Sequence, residues 1–350
     1  MTTLVARLDN AGDVLLTGPA VRAVAANDDV VFLCSEQGAA AASMLPGVAR
    51  VVVAHAPWID AHPRPVDDDD LRALVHSLRR ACIDEAAVLV SSHQSPLPLA
   101  LLLRQAGVSR IAAVSHDYAG SLLDHRIPGD PDMHEVERNL AVVARLGHHL
   151  DDDDDAALAI RPAHAPAGAA VAAGAVVVHP GASVPARTWS VEHWCALVDA
   201  LASRGHRVVV TGSPAERPLT AAVASVASAR VIDLGGATDL AELAAVLRAA
   251  AVVCTGNTGP MHLAAAVRTP VVALFPPTVP AARWRPWGVP HELFGLQDVP
   301  CAGCRARTCP LPRQLCIASV PVEDVIRAVE HHAGHAVPKR RHLYAVTSAP

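Results

Sequence analysis

Ten short aliphatic runs, separated by stretches long enough for helices, constrain this chain more than any other feature. Five lie in the first half: Thr3–Leu8, Val30–Cys34, Val51–Ala54, Ala87–Ser91 and Ile111–Ser115. Five follow in the second: Val176–His179, Val208–Thr211, Val231–Leu234, Val252–Thr255 and Val271–Phe275. They are apolar on consecutive positions rather than alternate ones, the pattern of strands covered on both faces. Between them, Leu71–Cys82 (apolar at Leu71, Leu74, Val75 and Leu78), Val191–Ser203 and Leu240–Ala249 read as helices, and one helix is expected over Val14 to Ala25. Strand and helix in alternation predict an α/β fold with parallel sheets. Two such blocks predict two Rossmann-like, doubly wound domains, and 350 residues exceed what one core usually holds.

The boundary is expected in Asp151–Gly174, where the acidic run Asp151–Asp155 precedes Ala, Pro and Gly and reads as a solvated linker. This gives a first domain over residues 1–160, a linker over 161–174, a second domain over 175–334 and a disordered tail over 335–350. A second acidic run, Asp67–Asp70, stands where it would supply charge to a helix N-terminus. The formal net charge of −5 argues against a nucleic-acid partner. No basic, apolar leader and no run of spanning length is apparent, so a cytoplasmic location is expected.

Several strand ends carry groups suited to chemistry. The segment Ala251–Ala264 reads as a strand, a tight turn (Gly256, Asn257, Thr258, Gly259) and a helix begun by Pro260, with no acidic residue in its first turn. Such a helix end offers N–H groups and partial positive charge to an anion. After Val176–His179 come Ser183, Arg187 and Thr188, two hydroxyls and a planar cation that match phosphate oxygens. After Val208–Thr211 comes Glu216, an acceptor for a ribose or base edge, or simply a surface residue at a helix start. The first strand runs into Arg7-Leu8-Asp9-Asn10-Ala11-Gly12-Asp13, where Asp13 is either a general base or a helix cap. Arg126 and His134 are further candidate binding residues in the first half.

Taken together, RLDNAGDVLLTGPAVRAVA, HPGAS with Arg187 and Trp189, GSPAER, GNTGPMHLAAA and ARWRPWG resemble glycosyltransferase family 9, from about Arg7 to about His332. That family includes the ADP-heptose heptosyltransferases of lipopolysaccharide core assembly. The resemblance implies a GT-B architecture, two Rossmann-like domains facing an interdomain cleft, with the acceptor on the first domain and the nucleotide sugar on the second. It implies an inverting transfer, of heptose from ADP-heptose, to a glycan or glycolipid hydroxyl, with peripheral contact at the inner membrane face through that acceptor. By motif, Asp13 matches the base, Ser183 and Arg187 the phosphate-contacting hydroxyl and cation, and Glu216 a nucleoside-contacting acid. Thr258, Gly259 and His262 match the phosphate loop, where a protonated His262 would add to the helix end in stabilising the diphosphate. Arg187 stands where Lys is usual and Asn257 where Asp is common, which leaves the donor sugar open. No metal is expected to be needed for transfer. A sugar-nucleotide 2-epimerase and a non-catalytic nucleotide-sugar-binding protein are the competing readings.

Cys301, Cys304, Cys309 and Cys316 gather half of the eight cysteines into sixteen residues. In a reducing compartment this favours a structural zinc or an iron–sulfur cluster, with a disulfide or free thiols as alternatives. The resemblance places them on a loop beside the cleft. Cys34, Cys82, Cys195 and Cys254 read as buried small hydrophobes.

Overall fold

The computed structural model describes residues 1–60, 63–161, 167–226 and 230–334. Among the described residues, the first half holds six parallel strands: β1 (Thr2–Arg7), β2 (Asp29–Cys34), β3 (Val48–Val53), β4 (Glu85–Val88), β5 (Arg110–Val114) and β6 (His125–Ile127). Their order is β3-β2-β1-β4-β5-β6. The second half repeats the plan with β7 (Val176–His179), β8 (Val208–Gly212), β9 (Val231–Gly235), β10 (Val252–Gly256), β11 (Val271–Leu274) and β12 (His291–Phe294), ordered β12-β11-β10-β7-β8-β9. In each sheet the order reverses beside a central strand, the place where doubly wound sheets leave a crevice at their carboxyl ends.

All ten expected strands are present, and β6 and β12 join them at sheet edges. Both carry polar residues, His125 and Arg126 or His291 and Glu292, that an apolar-run criterion passes over. β4 is Glu85–Val88 rather than Ala87–Ser91, because its ladder with β1 starts at the Thr3 and Glu85 pair. The expected helix Val14 to Ala25 is two helices, Ala11–Leu15 and Gly18–Ala25. Pro19 lacks the N–H that a continuous helix needs there, so the chain restarts around it. Asp67 caps the helix Asp68–Arg80, accepting from the N–H groups of Asp69 (2.9 Å) and Asp70 (3.2 Å).

Among the described residues the apolar side chains form three clusters. One lies on the outer face of each sheet; the third runs between the halves, from Val5, Val14 and Leu15 to Met261, Leu263 and Val177. The halves therefore share packed surface. The acidic run is not a freely solvated linker: Asp154 takes two bonds from Arg22 in the first half (2.6 and 2.7 Å), and Asp155 pairs with Arg268 in the second (2.7 Å). Within the expected linker, residues 162–166 lie outside the described residues, as does the whole expected tail over 335–350. Cys34 and Cys254 are buried as expected, whereas Cys195 is half-buried and Cys82, in left-handed backbone at φ 51°, is exposed. No helix among the described residues is long and apolar enough to cross a membrane.

Candidate active site

The loop after β1 and the loop after β10 meet face to face. Gly12, in the helix Ala11–Leu15, lies against Gly259, the first residue of the helix Gly259–Ala266. A Cβ on Gly12 would come within 3.1 Å of Gly259 Cα and 3.2 Å of His262 Cδ2. Glycine at position 12 permits this approach without displacing either neighbour. Asp13 therefore stands at the seam of the two halves.

Asp13 is not a helix cap. Asn10 occupies that position, and Asp13 Oδ1 instead accepts from Arg7 Nη2 at 3.1 Å. Burial and the neighbouring charge of Asp9 push the Asp13 carboxyl up to about 6, against the opposing pull of Arg7; Glu135 adds to the rise and Arg187 opposes it. A carboxylate tuned to that range suits proton abstraction near neutral pH.

Arg7 ends β1, is completely buried, and gathers the acids around it. It lies 2.7 Å from Asp9, donates to Ser91 Oγ at 2.8 Å, and pairs with Glu135 at 3.1 Å. Burial alone would lower its pKa, but the three carboxylates more than reverse that. Gln94 holds the other oxygen of Asp9. Glu135 also receives Arg138 (3.3 Å) and, from the second half, Arg283 (2.9 Å). The three acids hold the site's cations at fixed positions.

On the facing side, the helix Gly259–Ala266 starts at Thr258 with Pro260 in its first turn, no acidic residue there and no side-chain cap bond. Its orphan N–H groups and dipole are thus left for an anion. Arg187 is packed beside Gly256, where a Cβ would sit 3.1 Å from Arg187 O. Burial lowers the Arg187 pKa, the Asp13 charge raises it, and Arg307 lowers it. Arg187 Nε, Asn257 Nδ2 and His262 Nδ1 are buried polar atoms with no hydrogen-bond partner among the described residues. Three such atoms around one loop are costly unless something polar binds there.

His262 is not a cation here. Burial, together with His134, Arg187 and Arg7, drives its pKa down to about 3, so a protonated imidazole is replaced by a neutral one able to donate a single N–H. Glu216 folds over the turn at Gly181, where a Cβ would collide with its carboxylate. It accepts from Ser213 N at 2.7 Å and Oγ at 2.8 Å, and lies 3.8 Å from His179. Thr188 donates its hydroxyl to Pro185 O at 2.6 Å, and Ser183 is exposed at the rim. Neither joins the group around Asp13.

The two further candidates in the first half have structural duties. Arg126 ties β6 to the carbonyls of Ser115 and His116, both at 3.0 Å. His134 is buried, caps the helix Glu135–Ala144, bonds Arg285 O at 3.0 Å and stacks on Trp287 at 4.4 Å between centroids. Glu135, Arg138, Ser91 and Gln94 escaped the sequence reading. No local signal marks Glu135, because Glu135-Val136-Glu137-Arg138-Asn139 reads as an ordinary polar helix start.

The segment Cys301–Cys316 wraps this end of the second half. Gly303 N donates to Pro277 O (2.7 Å), Arg305 N to Thr278 O (2.9 Å), and Ala186 N to Arg307 O (2.9 Å). None of the eight cysteines is disulfide-bonded. The Cys316 thiol is raised by burial and then by Cys301, Cys309 and Cys304, so the four are within electrostatic reach of one another. Among the described residues, only Asp28, Glu85 and His148 already bring three ligand-type atoms within 4.8 Å. They lie at the opposite, amino end of the first sheet and are engaged by Thr3, Arg110 and the chain's amino group.

A family model described as glycosyltransferase family 9 (heptosyltransferase) matches residues 71–314. Lipopolysaccharide heptosyltransferase 3 of Escherichia coli is 32% identical over 162 residues, 44% of this chain and 46% of that protein. The chain thus spans less than half the length of that relative. Lipopolysaccharide heptosyltransferase 1 of Pseudomonas aeruginosa is 29% identical over 323 residues, 88% of this chain and 87% of that one. Among solved structures, an E. coli heptosyltransferase with ADP-2-deoxy-2-fluoro heptose superposes with a TM-score of 0.70 at 22% identity, covering 95% of this chain and 99% of its own. That likeness establishes the two-domain fold.

Proposed function

The chain belongs to glycosyltransferase family 9, and from that premise we propose that it is an inverting glycosyltransferase. In this reading it moves a heptose from ADP-heptose to a hydroxyl of a glycan or glycolipid of the lipopolysaccharide core type. One observation carries it: a half-buried carboxylate with a raised pKa stands at the seam opposite a helix N-terminus and a guanidinium whose Nε is unsatisfied. The family match and the relatives' names favour transfer over epimerisation or passive binding.

In the proposed mechanism Asp13 takes the proton of the acceptor hydroxyl as its oxygen bonds the anomeric carbon from the face opposite the nucleotide. The bond from that carbon to the diphosphate oxygen breaks, and the nucleoside diphosphate departs with the electron pair. Its charge is met by N–H groups at Thr258 and Gly259, the helix dipole, Arg187 and an N–H of neutral His262. Ser183 and Thr188 complete the phosphate shell from the rim, and Glu216 receives the nucleoside. Asn257 faces the sugar as an uncharged donor. The acceptor lies on the first domain and the donor on the second. A glycolipid acceptor would bring the protein to the inner face of the membrane.

No divalent ion is needed in this scheme, because fixed cations and the helix end already face the leaving group. The cysteine loop is assigned a structural metal: Cys301, Cys304, Cys309 and Cys316 would hold zinc or iron and pin the loop that carries Arg305 and Arg307 beside Arg187. The thiolate set suits either metal. Elemental analysis of anaerobically purified protein tests this, and a result without zinc or iron near one equivalent rejects it.

Isothermal titration against ADP-, GDP- and UDP-sugars, followed by turnover of the tightest donor with Asp13→Asn, tests the function. Donor binding should survive while transfer falls by roughly 10²–10⁴-fold. Unchanged turnover would remove Asp13 as the base.

A further inference from the structure

Glu135 is wholly buried, yet it accepts from three guanidiniums: Arg7 Nη1 at 3.1 Å, Arg138 Nη1 at 3.3 Å and Arg283 Nη2 at 2.9 Å. Two of these belong to the first half; Arg283, in the helix Ala281–Trp284, belongs to the second. Arg7 passes the contact onward to Asp13 Oδ1 at 3.1 Å. An unbroken line of charge-assisted contacts thus runs from the second half to the carboxylate at the seam. The residue beside it repeats the docking: His134 bonds Arg285 O and stacks on Trp287, whose indole N–H reaches Ala156 O at 2.8 Å. A buried ion cluster of this kind adds little net stability over apolar packing, and its best-attested use is to specify one arrangement.

We propose that Glu135 is a positioning residue that couples the seating of the second half, through Arg283, to the orientation of Asp13, through Arg7. The proposal rests on the reading of Asp13 as the base. When the halves part, Arg283 leaves Glu135, and the freed carboxylate draws Arg7 toward itself and away from Asp13. When they meet, Glu135 is shared three ways and Arg7 can hold Asp13 in line with the helix Gly259–Ala266. The base is then set only in the closed arrangement, where water is excluded and the donor is gripped.

The charged and titratable groups around Asp13 come from every element packed there. They are Asp9 and Arg7 from β1 and its loop, Glu135, and Arg187, with His262 across the seam; His93 lies within electrostatic reach of Asp9, Arg7 and Glu135. Two substitutions perturb this set with opposite sign. Glu135→Gln removes a negative charge and leaves Arg7 free to serve Asp13. Arg283→Gln removes a positive charge and leaves Glu135 to compete for Arg7.

The experiment is a ¹³C-carboxyl NMR titration of Asp13 in the full chain, its resonance assigned by loss in Asp13→Asn, beside the pH dependence of kcat. Glu135→Gln should lower the Asp13 midpoint and Arg283→Gln raise it, each by about half a pH unit or more. The acid limb of kcat should follow each midpoint. In the double variant the Arg283→Gln effect should vanish. Charge acting directly through space moves both midpoints in the same directions but leaves the Arg283→Gln shift intact in the double variant; that result, shifts of one sign, or no shift overturns the proposal. Should Glu135→Gln not fold, Arg283→Gln against Arg283→Lys decides: the lysine variant must restore the midpoint. If the midpoints move as stated while the wild type transfers no sugar, the coupling stands and the transferase reading fails.

Discussion

Gly12 and Gly259 approach so closely that a methyl group on the first would have to push its neighbours back by a few tenths of an ångström: its Cβ would lie 3.1 Å from Gly259 Cα, whereas one on Gly259 would meet Gly12 N only at 3.7 Å. The two glycines are therefore unequal. Gly12→Ala should force backbone apart at the seam and cost about 1–3 kcal/mol of stability. It should also lower kcat by more than tenfold, because Asp13 is the next residue. Gly259→Ala should be far milder in both respects. Denaturant melts and steady-state kinetics on the pair check this; equal effects would mean that the halves do not meet as described.

Asp13 gives a pH prediction with a definite sign. Its folded carboxyl is raised to about 6 by burial and Asp9, above the ordinary carboxylate value. Activity that needs the anion should climb through a limb near pH 6 and level off above it. For stability the same shift works the other way: a raised carboxyl binds its proton more tightly when folded. The destabilisation it imposes is absent below about pH 4, grows as pH rises toward 6 and is complete above that. Asp13→Asn should therefore melt higher than the wild type at pH 8 and show no such gain at pH 4. A variant destabilised at pH 8 contradicts the assigned environment.

Both sheets were readable because their strands are buried on two faces and so announce themselves as apolar runs. β6 and β12 were not, since an edge strand can carry His125, Arg126 or Glu292 outward without cost. The site was half legible. Asp13, Arg187 and the Thr258–His262 turn sit at strand ends, where local sequence marks them. Glu135 lies 128 residues from Arg7 and 148 from Arg283, and no local pattern encodes a contact formed only by the tertiary fold. His262 shows the remaining limit: its identity was plain, but its charge state is set by burial among Arg7, Arg187 and His134.

The cluster at the far end of the first sheet should matter for stability alone. Glu85, almost fully buried, lies 2.6 Å from His148 and 2.9 Å from Arg110. Glu85→Ala takes the carboxylate from buried His148, while the half-exposed Arg110 stays hydrated, and should cost about 1–3 kcal/mol in urea unfolding. The folded fraction should keep the wild-type kcat, since Glu85 opens β4 at the end opposite Asp13. A loss of kcat at full folding would point to communication along the sheet.

Arg187 should show binding and stability pulling in opposite directions. In the free protein its Nε is buried without a hydrogen-bond partner, and burial depresses its pKa, so the guanidinium is held at a cost. Arg187→Met removes that cost while keeping most of the packing, and should raise the melting temperature of the unliganded protein. The same change deletes the cation proposed to face the diphosphate, so under that proposal ADP should bind roughly tenfold to a hundredfold more weakly. It also takes a positive charge from the surroundings of Asp13, which should move the acid limb of kcat upward. Arg187→Lys separates charge from shape: it should restore the limb but only part of the ADP affinity, because an ammonium cannot match two phosphate oxygens as a planar fork does. Calorimetry and melting curves on the three proteins give both quantities at once. A methionine variant that is less stable yet binds ADP normally would mean that the side chain is structural, and the leaving-group site would have to be sought elsewhere along the seam.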